Sequence, residues 1–354
     1  VEFVVELPAG GSLSVDGTRV TAEPDESRLA VTVEAAAGRA ARVEVVANAP
    51  LDLELRILDV RIGRLFTADA AEAAAAREAA VAAAAASDVA VVFVGTDARI
   101  ETEGRDRSDL SLPDAHDALV EAVAAANPRT VVVVSAGAPV ELPWRAQVAA
   151  VLLTWFGGQE FGDGVAALLT GRAEPGGRLP TTWPDRLADA PVQNVEPTDG
   201  TLWYEEGIAI GHRAWALGTN RPAFAFGHGL GYTSWRLGDI AVETDDDSDD
   251  SDVGDVVIVV PLGNTGRRRG RQVVQVYLSR PDSTVSRPPL WLGGFASIEL
   301  DAGARAEVRI RLPRRQFAHW SEQAHEWQIE PGEFTARVGF SAADLPQSIA
   351  LSTT

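Results

Sequence analysis

The 354-residue sequence predicts an α/β layer joined to all-β modules. Three textures carry this expectation. Residues 1–62 alternate apolar and polar positions in short segments broken by Gly, Pro and Asp-Gly, the mark of antiparallel strands. From about Ser87 to Gly171, continuous apolar runs alternate with helical segments, as in strands buried on both faces of a mostly parallel sheet. Beyond Asp252 the period-two alternation returns, with about seven short strands spaced by turns, which suggests an immunoglobulin-like sandwich.

In chain order, the first strands are FVVEL, SLSVDGTRV, RLAVTVEA, RVEVVA and LDLELRIL. An alanine-dominated helix follows over Ala68–Ala86, with Thr67 or Asp69 available as its amino-terminal cap. The α/β elements are VAVVFVG (Val89–Gly95), a helix over Pro113–Ala126, TVVVVS (Thr130–Ser135), VAAVLLTW (Val148–Trp155) and a helix near Glu160–Leu169. Right-handed crossovers between such strands put the working loops at their carboxyl ends. A connector rich in Pro, Trp and Tyr begins after Trp183, and the acidic run ETDDDSDDSD spans Glu243–Asp252. The last strands are DVVIVVPL, RQVVQVYLSR, FASIEL, RAEVRIRL, EFTARVGF and SIALS. The expected boundaries are 1–62, 63–235 with the connector, an acidic linker at 236–252, and 253–354.

Composition narrows the partners. Acidic residues outnumber basic ones by 51 to 31, a net charge of -20, so a nucleic-acid backbone or an anionic membrane is repelled. Cysteine is absent, which removes disulfides and thiolate ligands, and the five histidines lack metal-ligand spacing. The Asp245–Asp252 run lacks the glycine and closing glutamate of a calcium loop. GGQE (Gly157–Glu160) is no phosphate loop, and its expected use is a tight strand-to-helix turn with Glu160 at the positive helix end. No cofactor and no metal are expected. Lysine is missing altogether, and with the acid excess this suggests a halophilic or GC-rich source. The chain lacks methionine and starts with VEFVVELPAG, which reads as mid-strand in a longer protein rather than as a secretory signal. No 18-residue apolar stretch is free of charge, and the expected location is cytoplasmic.

The stretch IETEGRDRSDLSLP (Ile100–Pro113) places two glutamates, two aspartates and two arginines directly after a strand. A solvated turn is one reading, and a catalytic carboxylate at the carboxyl end of a strand is the other.

Several segments decide between them by resemblance. IETEGRDRSDLSLP is similar to the segment of family-three glycoside hydrolases in which E-G-x-D-R precedes a Leu-Pro helix start. The likeness continues through VVVVSAGAPVELPW, LLTWFGGQEFGDGVAALLTG, PGGRLPTTWP, YEEGIAIGHRAW and FAFGHGLGYTSW, and on into NTGRRRGRQVVQVYL, LWLGGFASIEL and EFTARVGFS. It covers Ser87–Ser341 in unbroken order. Residues 1–62 resemble, more weakly, the end of a PA14-type β module.

This resemblance implies a retaining β-glycosidase, β-glucosidase-like, built from a barrel, an α/β sandwich and a fibronectin type III-like domain. The chain then holds the carboxyl-terminal half of the sandwich, and the nucleophilic aspartate belongs to a barrel it lacks. Glu103 matches the family's acid/base glutamate, with Glu101 the alternative if the register differs. Such a carboxyl donates to the leaving oxygen and then, as carboxylate, takes a proton from water. Gly104 lets the backbone turn, and Arg105 and Arg107 are expected to pair with Asp106 and Asp109, away from the substrate. Trp203 and Tyr204 either stack on a sugar or pack the connector; His212 and His228 read as structural. The implied partners are a β-linked glycoside and the barrel, with homo-oligomerisation left open. The alternative function is a catalytically inactive carbohydrate-contacting or interaction module.

Overall fold

A computed structural model describes residues 2–6, 12–15, 18–21, 28–32, 43–46, 70–98, 100–104, 106–113, 115–193, 197–245 and 255–353. The predicted strand at 51–58, the Thr67 and Asp69 caps and most of the acidic run lie outside them. Two compact units partition the chain, residues 1–90 with 122–127 and residues 91–121 with 128–354.

In the first unit, β1 (Glu2–Glu6) pairs antiparallel with β4 (Arg28–Thr32), and β2 (Ser12–Val15) pairs antiparallel with both β3 (Thr18–Thr21) and β5 (Val43–Val46). Four of the five expected strands are thus antiparallel elements, as period-two alternation requires. Helix α1 (Ala70–Ala85) forms from a near-continuous alanine run, the residue with the highest helix propensity. The amide of Asn127 donates to the carbonyls of Ala84 and Ser87, both at 2.9 Å, and so closes the carboxyl end of α1.

The second unit starts with a three-stranded sheet in the order β6 (Ala90–Gly95), β7 (Thr130–Ser135), β8 (Ala150–Leu153), with β7 and β8 parallel. Helices α2 (His116–Ala126) and α3 (Phe161–Leu169) follow β6 and β8. Val132, Val133 and Val134 are buried, which accounts for the unbroken apolar run of β7. Strand β6 behaves differently: Val92 and Val94 are buried while Val91 and Phe93 are exposed. As an edge strand it has one bare face.

The carboxyl-terminal sandwich packs two sheets. One holds β10 (Ala241–Asp245), β11 (Asp255–Asn264) and β14 (Arg305–Leu312), with β9 (Trp235–Leu237) also on β11. The other runs β13 (Trp291–Leu300), β12 (Gly270–Ser279), β17 (Gly332–Gly339), β18 (Gln347–Thr353). Ile258, Val276, Leu278, Ile310, Phe334 and Val338 meet between them. A separate hairpin joins β15 (Ala318–Ser321) to β16 (Glu326–Ile329). The stretch expected to be acidic linker therefore begins with a strand: Ala241–Asp245 is in register with Asp255–Val259, and Arg309 donates to the Glu243 carboxylate. Pairing with β11 and a cationic neighbour outweigh the charge pattern there.

The connector is tied to this sandwich. The amide of buried Gln275 donates to Gly227 O at 3.0 Å and Phe340 O at 2.7 Å, and Ala342 N donates to Phe226 O. Gly227 sits at φ 80°, and a side chain there would collide with Gln275. Glu330 pins the 280–290 loop by accepting from Ser283 Oγ, Thr284 N and Thr284 Oγ1.

These contacts make stability acid-sensitive. His212 at the start of α4 (His212–Leu217) stacks on Phe226 at 4.6 Å, and burial followed by the nearby Arg213 pushes its imidazole from about 6.5 to about 4. Between those values the unfolded chain binds more protons, so stability falls as pH drops through that window. At about 1.4 kcal/mol per pH unit the loss approaches about 3 kcal/mol, less where the ring meets water. Hydrogen bonds from Thr284 and then Ser283 hold Glu330 down to about 2, and its contribution fades as pH falls below about 4.5. Melting curves from pH 7 to pH 4 are expected to slope steeply in the parent and less in His212→Phe; equal slopes exclude His212 as the source.

Candidate functional site

Three strand ends meet at one edge of the α/β sheet. Thr96 N donates to Ser135 O at 3.0 Å, joining the end of β6 to the end of β7, and Ser135 Oγ donates to Trp155 O at 2.8 Å, joining β7 to the loop after β8. The charged loop leaves β6 here, as expected for the carboxyl ends of such strands.

Within it the two glutamates have opposite environments. Glu101 Oε1 accepts from Thr96 Oγ1 at 2.5 Å and from Gly137 N at 3.1 Å, and Arg107 Nη1 stands 4.0 Å away. Its side chain is 15% exposed. Glu103 is exposed, and among the described residues no hydrogen bond or ion pair engages its carboxylate. Gly104, next in sequence, adopts φ 78°, a left-handed conformation that glycine takes without strain and that turns the chain sharply after Glu103. A side chain at Gly137 would press on Glu101 and Phe156 at 2.5 and 2.9 Å, so the missing Cβ lets Glu101 reach the backbone amide.

Arg107 corrects one expectation. Its guanidinium turns inward to Glu101 and to Pro139 O at 3.2 Å, not to Asp106 or Asp109. Asp109 is occupied locally: the Ser111 N–H at 2.9 Å, with help from Ser108, holds its carboxyl below the usual range. Arg105 lies outside the described residues.

An open depression of about 530 Å³ is lined by Glu101, Glu103, Asp106, Arg107, Gly137 and Phe156. The Phe156 ring is 54% exposed there. Trp155, beside it, has φ 55°, a strained backbone for a bulky residue, with its ring against buried Trp183 at 6.1 Å. Sequence reasoning gave neither residue a role at the site; LLTWFGG was read as strand and turn and as part of the family likeness. Gly157 makes that turn tight, since a side chain would strike Phe161, and Glu160 stands at the N-cap of α3 without a side-chain capping bond.

The structure does not bring Trp203 and Tyr204 into this depression. They are 67% and 75% exposed on the connector and do not line it. A second cavity of about 550 Å³, lined by Phe224, His228, Gln272 and Asp344, contains none of the predicted site residues. His228 stacks on Phe224 at 5.2 Å, in keeping with a structural histidine. Among the described residues no three His, Cys, Asp or Glu side chains gather as a metal site, and no helix is long and apolar enough to cross a membrane.

An α/β sheet with an exposed carboxylate at its carboxyl edge is thus continued into a β-sandwich. The chain belongs to the glycosyl hydrolase family 3 C-terminal domain family, which it matches over residues 10–232, and residues 272–342 match the fibronectin type III-like domain. Thermostable beta-glucosidase B of Acetivibrio thermocellus is 38% identical over 271 residues, 76% of this chain and 36% of that protein. A beta-glucosidase of Rhizobium radiobacter is 36% identical over 338 residues, covering 92% and 40%. The crystal structure of beta-glucosidase from Kluyveromyces marxianus in complex with glucose superposes with a TM-score of 0.82 at 28% identity, covering all of this chain and 43% of the other. The chain thus spans between 30% and 40% of the length of such curated relatives.

Proposed function

We propose that this chain is the carboxyl-terminal part of a retaining β-glucosidase and supplies Glu103 as general acid/base. The observation that carries the proposal is the contrast between two glutamates two residues apart. Glu101 is held by Thr96, Gly137 and Arg107, while Glu103 lines an open depression with no hydrogen bond or ion pair among the described residues. A proton donor must reach the glycosidic oxygen within hydrogen-bond distance, which a tethered carboxylate cannot do without breaking its own bonds.

The nucleophile would come from an upstream barrel. A retaining pair stands about 5–5.5 Å apart on opposite sides of the scissile bond, and the nucleophilic aspartate of that pair is proposed to lie on the barrel. The bare face of β6, with Val91 and Phe93 exposed, supports further protein packing beside the site. The 354-residue chain alone is expected to show no turnover of aryl β-glucosides, and joining it to its upstream barrel to restore turnover. Hydrolysis by the purified chain alone would overturn the reading, as would a joined protein that stays inactive.

In this reading Glu101 positions the loop. Glu101→Ala leaves Thr96 and Gly137 without their acceptor and is expected to slow good and poor leaving groups alike by about 10²-fold, as a displaced catalytic group does. A loss confined to poor leaving groups would instead make Glu101 the proton donor.

A further inference from the structure

The β15–β16 hairpin displays an aromatic pair that the acid/base reading does not use. Trp320 and Trp327 are directly cross-strand, so their rings share one face of the hairpin, and each is 47% exposed. Their centroids are 5.6 Å apart at 65°, a V-shaped pair. Arg315 places its guanidinium 3.9 Å from the Trp327 ring centroid, and among the described residues that side chain has no hydrogen bond or ion pair. Ala318 and Ile329 lie on the same face, and Ile329 packs on the sandwich core. The tryptophans therefore continue the core-facing side of the hairpin out past the core into solvent.

We propose that Trp320, Trp327 and Arg315 form a binding platform for a neutral β-linked glucan segment. A pyranose offers a flat patch of axial C–H groups, weakly positive, that rests against the negative face of an indole ring. Its equatorial hydroxyls need donors at the rim, and a guanidinium free of other partners carries five N–H groups.

Area and charge exclude the other occupants of such a patch. Together the two half-exposed indoles present roughly 250 Å², against the roughly 800 Å² per partner of a stable protein interface. A second copy would also bring another -20 of charge. Aromatic rings beside an arginine suit single-stranded nucleic acid as well, but the acid excess of the chain repels a phosphate backbone.

The platform rests on the β-glucosidase reading for its ligand class, yet its test does not use hydrolysis. Titrating the 354-residue chain with cello-oligosaccharides and following the tryptophan indole N–H signals by NMR is expected to shift two of them. Trp320→Ala with Trp327→Ala is expected to weaken binding at least tenfold. Should the double variant lose the hairpin, Arg315→Leu keeps the rings and removes the donors, and is expected to weaken binding several-fold. In the barrel-joined protein, these variants leave turnover of small aryl glucosides unchanged. Absence of indole shifts at millimolar oligosaccharide, unaltered affinity in the variants, or a preference for single-stranded nucleic acid or self-association overturns the proposal. Failure of the glucosidase reading shows separately, as an inactive joined protein.

Discussion

In the barrel-joined protein, Glu103→Gln is expected to lower kcat on alkyl glucosides and oligosaccharides by about 10²–10⁴-fold while sparing the first step with activated aryl glucosides. The amide is nearly isosteric with the carboxylic acid but has no proton to transfer to the departing oxygen. A leaving group that is stable as an anion does not need one, so the size of the loss should track the leaving group's basicity. In the second step the glutamate would accept a proton from the attacking water, so deglycosylation also slows and the glycosyl-enzyme accumulates. Azide, which needs no base, should restore turnover as the glycosyl azide. Uniform loss across leaving groups, with no azide rescue, would remove Glu103 from the acid/base role.

Phe334→Ala is expected to destabilise the second unit by about 3–5 kcal/mol, the range for deleting a fully buried aromatic. Phe334 is completely buried, with edge-on contacts to Phe317 at 5.2 Å and Trp291 at 6.2 Å. Two guanidiniums, Arg280 at 4.8 Å and Arg287 at 5.2 Å, lie over its ring. Removing the ring leaves a cavity and strips two largely buried cations of a favourable face. The measurement is a denaturant midpoint at unchanged m-value. Phe334→Leu, which refills most of the volume, should recover much of the loss; a shift below about 1 kcal/mol for the alanine variant would show that the cluster closes around the gap.

Strands were legible where burial alone set the pattern. DVVIVVPL, RQVVQVYLSR and RAEVRIRL fall on β11, β12 and β14 because their apolar positions face a core. Strand β10 was hidden since its acidic side chains read as solvated chain, although its backbone pairs with β11. The β15–β16 hairpin was hidden for a related reason. AHWS and EWQI are too short and mixed to show a period, and Trp320 and Trp327 find each other only once the register is known. At the site, the likeness to family-three enzymes singled out the loop and ranked Glu103 first. The difference between the glutamates was not visible, because it depends on Gly137, which is 36 residues from Glu101 in sequence. Arg107 was misassigned for the same reason: nearness in sequence suggested Asp106 and Asp109, and the fold offered Pro139 O and Glu101.

The Gln275 amide that grips Gly227 and Phe340 has a bearing on how this protein can be recombined. A chimaera that takes its β-sandwich from a relative and cuts at the start of β11 would set that sandwich against a foreign glycine loop, putting at risk the Gln275 bond to Gly227 O and the Ala342 N bond to Phe226 O, while the bond to Phe340 O travels with the sandwich. Residues 224–232 should travel with the sandwich as one cassette, and crossovers placed upstream of them are the ones expected to yield folded hybrids.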